Sequence, residues 1–276
     1  MTSAPPNTVD PDWLSLRGPA DVRARTAFTD DLVANLADHL TRRLHPGGAN
    51  ARMVDVGAGT GAGAAWLRSR LPVGQDWRLV DHDPSLLAGA VPSADGWARG
   101  VLAAVSEMPR LLADDPADVV TCQALLDVLT AKETDTMLAS AVAVDAALLL
   151  SLSFTGEVVL SPPHPDDELV AAAFDAHQRR DGRLGPDGGE FAADVLRRHG
   201  YAVTVAATPW HLGAGEPSLL SGWLHGRAAA ASAQLTGYAD RIRRWLESRE
   251  EEVLHGELSA VVGHVDVLGL PRARWC

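Results

Sequence analysis

The residues with the clearest chemistry are Asp55, Gly57, Gly59 and Gly61, followed by a second acid, Asp81, twenty residues after Gly61. Glycines at alternate positions let a backbone turn sharply and approach a ligand that any Cβ would push away. A helix beginning just after such a turn presents unpaired N–H groups and a positive dipole end to an anionic group. An acid at the end of a second strand, at this spacing, reaches a ribose hydroxyl in a doubly wound sheet. The five residues therefore describe a nucleotide-type site. The elements that must position them follow from the pattern. Residues 52–56 form a short apolar strand, 63–71 an Ala-rich helix, and 77–81 a second strand. Asp83-Pro84 opens the next helix as an N-cap acid with proline at the first helical position.

Gly57-x-Gly59-x-x-Ala62 also fits the permissive dinucleotide fingerprint, which leaves an NAD(P)-dependent oxidoreductase open as an alternative. Asp55 weighs against it. A carboxylate two residues before the first glycine faces a pyrophosphate unfavourably but suits a ligand carrying an ammonium or sulfonium.

Acid followed by Gly-x-Gly-x-Gly resembles the first motif of the class I S-adenosylmethionine-dependent methyltransferases, a likeness that covers residues 52–160 and the C-terminal strands. The resemblance implies S-adenosyl-L-methionine as cofactor. It also implies a Rossmann-like, doubly wound α/β sheet of seven strands with a late antiparallel strand. In that family the acid and glycines hold the methionine half of the cofactor, here Asp55, Gly57, Gly59 and Gly61, and the next acid, Asp81, holds the ribose. His82 falls where the family sets a side chain against adenine, with a plain surface histidine as the alternative. Arg25, one turn beyond Asp21 and two beyond Arg17, is placed to reach the cofactor carboxylate, because N-terminal helices of these enzymes often close over the methionine end. The alternative is an exposed ion-pair ladder along that helix. The family often places an acid after the third strand. That position falls near residues 103–105, which hold none, so adenine contacts would come from backbone groups, Ser106 or Glu107. The layout also resembles a bacterial subgroup with Ala-Leu-Leu-Asp after strand four and Val-Gly-His-Val-Asp in the last strand; that likeness implies no substrate. A non-enzymatic S-adenosylmethionine-binding or assembly protein needs the same glycines and stays open.

The rest of the chain supplies the remaining strands and a cap. Strands are expected over 98–105, 117–122, 148–154, 201–208 and 261–268, with 157–160 hairpinned onto the fifth. Cys122 and Gln123 end the fourth strand at the carboxyl edge, where ligands bind in such sheets. Thr130-x-x-Glu133 is a capping box. The pattern predicts one domain over 1–276, with residues 1 to about 12 disordered, helix over 13–44 ended by His45-Pro46-Gly47-Gly48, and helical insertions at 161–189 and 216–258 lidding an acceptor pocket. His177, Arg180, Trp210 and Trp223 are candidates for its wall.

Methyl transfer from a sulfonium is an in-line displacement that needs alignment and exclusion of water. A base is required only for a neutral, weakly acidic acceptor. His177 and Asp127 are the catalytic candidates, with His164 beside them. A histidine on an apolar helix face is more commonly a hydrogen-bonded core residue, and His264, mid-strand, reads that way. No pair of histidines has metal-ligand spacing, so no metal is expected.

With 36 acidic and 24 basic residues and a formal charge of −12, the surface repels a phosphate backbone, so no nucleic-acid partner is expected. Two cysteines imply no disulfide framework. The start lacks an apolar secretory core, and the longest apolar stretch, 139–152, is short for a membrane span and broken by Asp145. A cytoplasmic protein acting on a small-molecule acceptor is the expectation, with a homodimer left open.

Overall fold

The computed structural model describes residues 10–44 and 49–272. The expected disorder of residues 1–9 and the helix stop at 45–48 lie outside the described residues. The chain forms, in order, α1 (Pro11–Phe28), α2 (Asp30–Leu44), β1 (Ala51–Val56), α3 (Ala62–Arg68), β2 (Gln75–Asp81), α4 (Pro84–Ser93), β3 (Ala98–Leu102), α5 (Met108–Asp114), β4 (Val119–Gln123) and α6 (Ala131–Ala143). Then follow β5 (Ala147–Ser161), α7 (Asp167–Gln178), α8 (Gly188–Arg198), β6 (Ala202–Ala207), β7 (Trp210–Leu212), α9 (Pro217–Gln234), α10 (Ala239–Leu254) and β8 (Ser259–Leu270).

The strands form one sheet in the order β3-β2-β1-β4-β5-β8-β6, with β7 also on β8. β1 to β5 run parallel, and β8 is antiparallel to β5, β6 and β7. β1, β4 and the first half of β5 are buried almost throughout, as strands covered on both faces must be. One face packs Met108, Leu112, Met137, Leu138 and Leu196 from α5, α6 and α8. The other packs Leu32, Leu36, Leu40, Trp66 and Leu67 from α2 and α3. Each such side chain contributes about 1.5–3 kcal/mol by leaving water.

Sequence expectations change at three elements. The N-terminal helix starts at Pro11, with Asp10 as N-cap, and is two helices that break at buried Thr29. Phe28 is thereby turned out to 43% exposure while Leu32, Leu36 and Leu40 enter the core. The fifth strand does not hairpin at 157–160. It continues to Ser161 beside the 12-residue β8, through irregular register at Leu152 (φ 55°) and Gly156 (φ 84°). A second, smaller core of Leu152, Phe154, Trp223, Leu224, Ile242 and Trp245 gathers α7, α9 and α10 around that extension. Finally, the sixth strand is split. Thr208 points inward, its hydroxyl on Asp266 Oδ1 at 2.9 Å, and Pro209, which has no N–H to donate, separates β6 from β7.

Candidate functional site

At the carboxyl ends of β1, β2 and β4 lies a cavity of about 500 Å³, roofed by α1. Gly57, Gly59 and Gly61 all take positive φ, 65°, 54° and 76°. Gly57 and Gly59 border the cavity; a Cβ on Gly57 would stand 2.9 Å from Leu125 Cδ2, and one on Gly59 3.3 Å from Leu14 Cδ1. Both carboxylate oxygens of Asp81 accept backbone hydrogen bonds, from Gly59 N at 2.9 Å and Asp83 N at 3.0 Å. Asp81 thus ties the glycine turn to the start of α4 while lining the cavity.

Asp55, 3% exposed, accepts the Thr121 hydroxyl at 2.7 Å through Oδ1. Burial pushes its pKa up to about 6, against the pull of Thr121 and the Arg25 cation and with a small push from Asp81. Arg25 is also 3% exposed, its guanidinium 4.3 Å over the Trp66 ring. Its hydrogen bond runs from Nε to the Asp21 carbonyl at 3.3 Å, and no described side chain takes its terminal nitrogens. Asp21 is the hub of the roof. Its carboxylate accepts from Arg17 Nε (2.9 Å), Gln123 Nε2 (3.0 Å) and Trp210 Nε1 (3.1 Å), joining α1 to the ends of β4 and β7.

Neither a family model nor a curated protein matches the chain. Solved structures do. A cyclopropane-fatty-acyl-phospholipid synthase-like protein from Lactobacillus casei is similar with a TM-score of 0.51 and 14% identity, over 92% of this chain and 99% of that one. The fold is that of the class I S-adenosylmethionine-dependent methyltransferases. Looser similarity extends to a cyclopropane synthase from Mycobacterium tuberculosis (TM-score 0.44, 13% identity, 95% and 99% covered). It extends also to a phosphoethanolamine N-methyltransferase from Haemonchus contortus (TM-score 0.43, 16% identity, 97% and 61% covered).

Within this methyltransferase fold, Arg25, Asp55, Gly57, Gly59, Asp81, His82, Gln123 and Asp127 all line the one cavity. His82 is half-exposed, with Nδ1 3.4 Å from Asp81 Oδ1. Asp127 sits past β4 with its pKa pushed up to about 6 by burial; Oδ2 accepts from Gln178 Nε2 at 3.3 Å and Oδ1 is buried without a partner. Gly61 does not border the cavity: it is the left-handed N-cap of α3, packed under Leu79 and Ala90. Cys122 does not either. Its side chain is in the core beneath α6 and α8, and burial drives its thiol far above the ordinary range. The Arg17, Asp21, Arg25 series is a buried bracket rather than an exposed ladder.

The insertions at 161–189 and 216–258 contribute no lining residue. α7 and α9 pack on each other around the extended β5, and His177 meets Arg180 Nη2 through Nε2 at 2.7 Å, outside the cavity wall. Trp210 acts indirectly, through Asp21. The 161–189 segment braces the loop after β4 instead, with Leu184 N on Leu129 O at 2.8 Å and Gln178 on Asp127. Ser106 and Glu107 also lie outside the wall, and Glu107 is occupied by Ala104 N at 2.9 Å. Sequence reasoning missed Thr121, Asp21 as hub, Leu14, Leu125 and Gln178. Thr121 meets Asp55 because β1 and β4 pair in register at those two residues, a fact of topology rather than of spacing.

Proposed function

We propose that the chain binds S-adenosyl-L-methionine in this cavity and transfers its methyl group to a small-molecule acceptor. The observation that carries the reading is the convergence of Asp55, the positive-φ glycines and Asp81 on one cavity beneath a helix that brings in Arg25. The residues fit that cofactor: Arg25 has terminal nitrogens free for a carboxylate, and Asp55 offers a charge to an ammonium. His82 and Leu86 flank the end nearest Asp81 and would take the adenine. When bound, the cofactor supplies a methyl carbon already activated by the sulfonium charge.

The chain's own part is then alignment and proton management. The glycine turn, fixed by Asp81 and closed by Leu14 and Leu125, sets the position of the ligand backbone. The roof of α1 keeps water from the reacting centre. Asp127, on the acceptor side of the cavity and titrating near 6, is mostly ionised at neutral pH and can accept a proton from a hydroxyl or ammonium. Gln178 holds that carboxylate through one oxygen and leaves the other for the acceptor.

Calorimetric titration with S-adenosylhomocysteine tests the cofactor, and a metabolite screen for its release from S-adenosylmethionine tests the transfer. Saturable binding lost in Asp55→Asn supports the site. A folded protein that ignores the nucleoside removes the reading altogether, and binding with no turnover on any acceptor favours a non-enzymatic binding protein.

A further inference from the structure

A second cavity, of about 310 Å³, opens between the far half of β5 and helices α7, α9 and α10. It shares no lining residue with the first. Much of its wall is apolar, from Val158, Leu160, Val170, Ala171 and Trp245. Set into that wall is Arg227 of α9, only 3% exposed. Its guanidinium lies 4.3 Å from the Phe174 ring and 4.8 Å from the Trp223 ring. No hydrogen bond or ion pair joins it to another described residue, and Nη1 is buried without a partner. Burial lowers its pKa to about 10, with the charges of Asp175 and Asp167 opposing.

A buried cation without a hydrogen-bonding counter-ion is expensive, and the same helical core shows the ordinary remedy. Arg249 of α10, fully buried, meets both oxygens of Asp167 (2.7 and 2.6 Å), the Pro162 carbonyl and Glu252. Trp245 Nε1 adds a further bond to Asp167 at 2.8 Å. Asp167 therefore lines the cavity with its charge already matched. Glu168, at the exposed rim, makes no hydrogen bond or ion pair with a described residue. The cavity thus has in its lining a residue whose buried guanidinium is unpaired, an unpaired carboxylate at its mouth, and aliphatic surface. A simple anion would satisfy Arg227 but face Glu168; a ligand carrying both charges answers both residues.

We propose that this cavity binds a small zwitterion, an α-amino acid with an aliphatic side chain. Its carboxylate pairs with the Arg227 fork, its ammonium faces Glu168, and its side chain lies against Val158, Leu160 and Trp245. The proposal does not depend on what the glycine-turn cavity holds.

Calorimetric titration of the full chain with L-leucine is the test, run beside isocaproate, which lacks the ammonium, and isoamylamine, which lacks the carboxylate. Leucine should bind saturably, and both analogues at least about tenfold more weakly, as loss of one charge-assisted contact requires. Arg227→Gln should lose leucine by a similar factor or more. Glu168→Gln, a rim change that leaves the core untouched, should weaken leucine several-fold and leave isocaproate unchanged; it decides the matter if Arg227→Gln does not fold by circular dichroism. Absence of leucine binding to the parent, unchanged binding in a folded Arg227→Gln, or isocaproate binding as tightly as leucine would overturn the assignment.

Discussion

Asp55 and Asp81 are both carboxylates at strand ends, yet their surroundings give them different work. Asp81 has its oxygens on two backbone N–H groups, so its removal loosens the glycine turn as well as any contact to a ribose. Asp81→Ala should weaken S-adenosylhomocysteine by about 1–3 kcal/mol in calorimetry, and unchanged affinity in a folded variant would remove the ribose role. Asp55 keeps one oxygen on Thr121, and burial raises its pKa from 3.8 to about 6. The sign follows from linkage. A carboxyl with a raised folded pKa contributes stability that is fully present below its unfolded value near pH 4 and is lost as pH rises through about 6. Asp127 acts in the same direction. Asp55→Asn should therefore stabilise the fold at pH 7.5 by up to about 3 kcal/mol, seen as a higher melting temperature, and the gain should vanish by pH 4. Cofactor affinity should move the other way, rising in the parent as pH increases through 6 and Asp55 gains its charge. A thermal-melt series and a titration series across that range check both halves. If Asp55→Asn is neutral at pH 7.5, the carboxyl is not held against its ionisation.

At the scale of elements, α1 matters more than its sequence suggests. Its register puts Arg17, Asp21 and Arg25 on one face, a spacing legible in the chain, but whether that face meets water or the sheet depends on where the helix is docked. Trp210, 189 residues away, and Gln123 answer the question by donating to Asp21. Asp21→Ala leaves Arg17, Gln123 and Trp210 without their common acceptor. It should cost about 3–5 kcal/mol, the range for breaking a buried charge network, and detach α1 before the sheet unfolds. Urea denaturation gives the first quantity, and hydrogen exchange confined to residues 11–28 the second; a uniform change in exchange would argue against α1 as a separate roof. The segments expected from the sequence to lid an acceptor pocket lie away from the cavity wall for a reason of length. An insertion after a strand ending near residue 154 would begin at the cavity mouth. β5 instead runs on for seven residues, to Ser161, about 20 Å farther along a strand. Leu152 and Gly156, both at positive φ, break the alternation that would have betrayed the extension.

Over the whole molecule, the legible part was the parallel half. β1, β2 and β4 are covered on both faces, so their apolar runs, turn glycines and caps speak locally, and Asp83 and Thr130 cap their helices as read. The antiparallel half is held by long pairings between β5, β6, β7 and β8, which no local pattern encodes. One consequence of that half concerns self-association. The outermost strands of the sheet are margins where another chain could add by hydrogen bonding. The β3 margin is five residues long, too short to template much. The other carries the exposed Val205 and would run unbroken over 202–212 but for the inward Thr208 and Pro209, which limit it to pieces of six and three residues. The break therefore works as a guard against strand addition, the usual hazard of an apolar margin. Pro209→Val, which restores an N–H and the extended run, should leave monomeric stability within about 1 kcal/mol. It should nevertheless raise light scattering sharply during refolding at micromolar concentration, and scattering equal to that of the parent would show that the kink protects nothing.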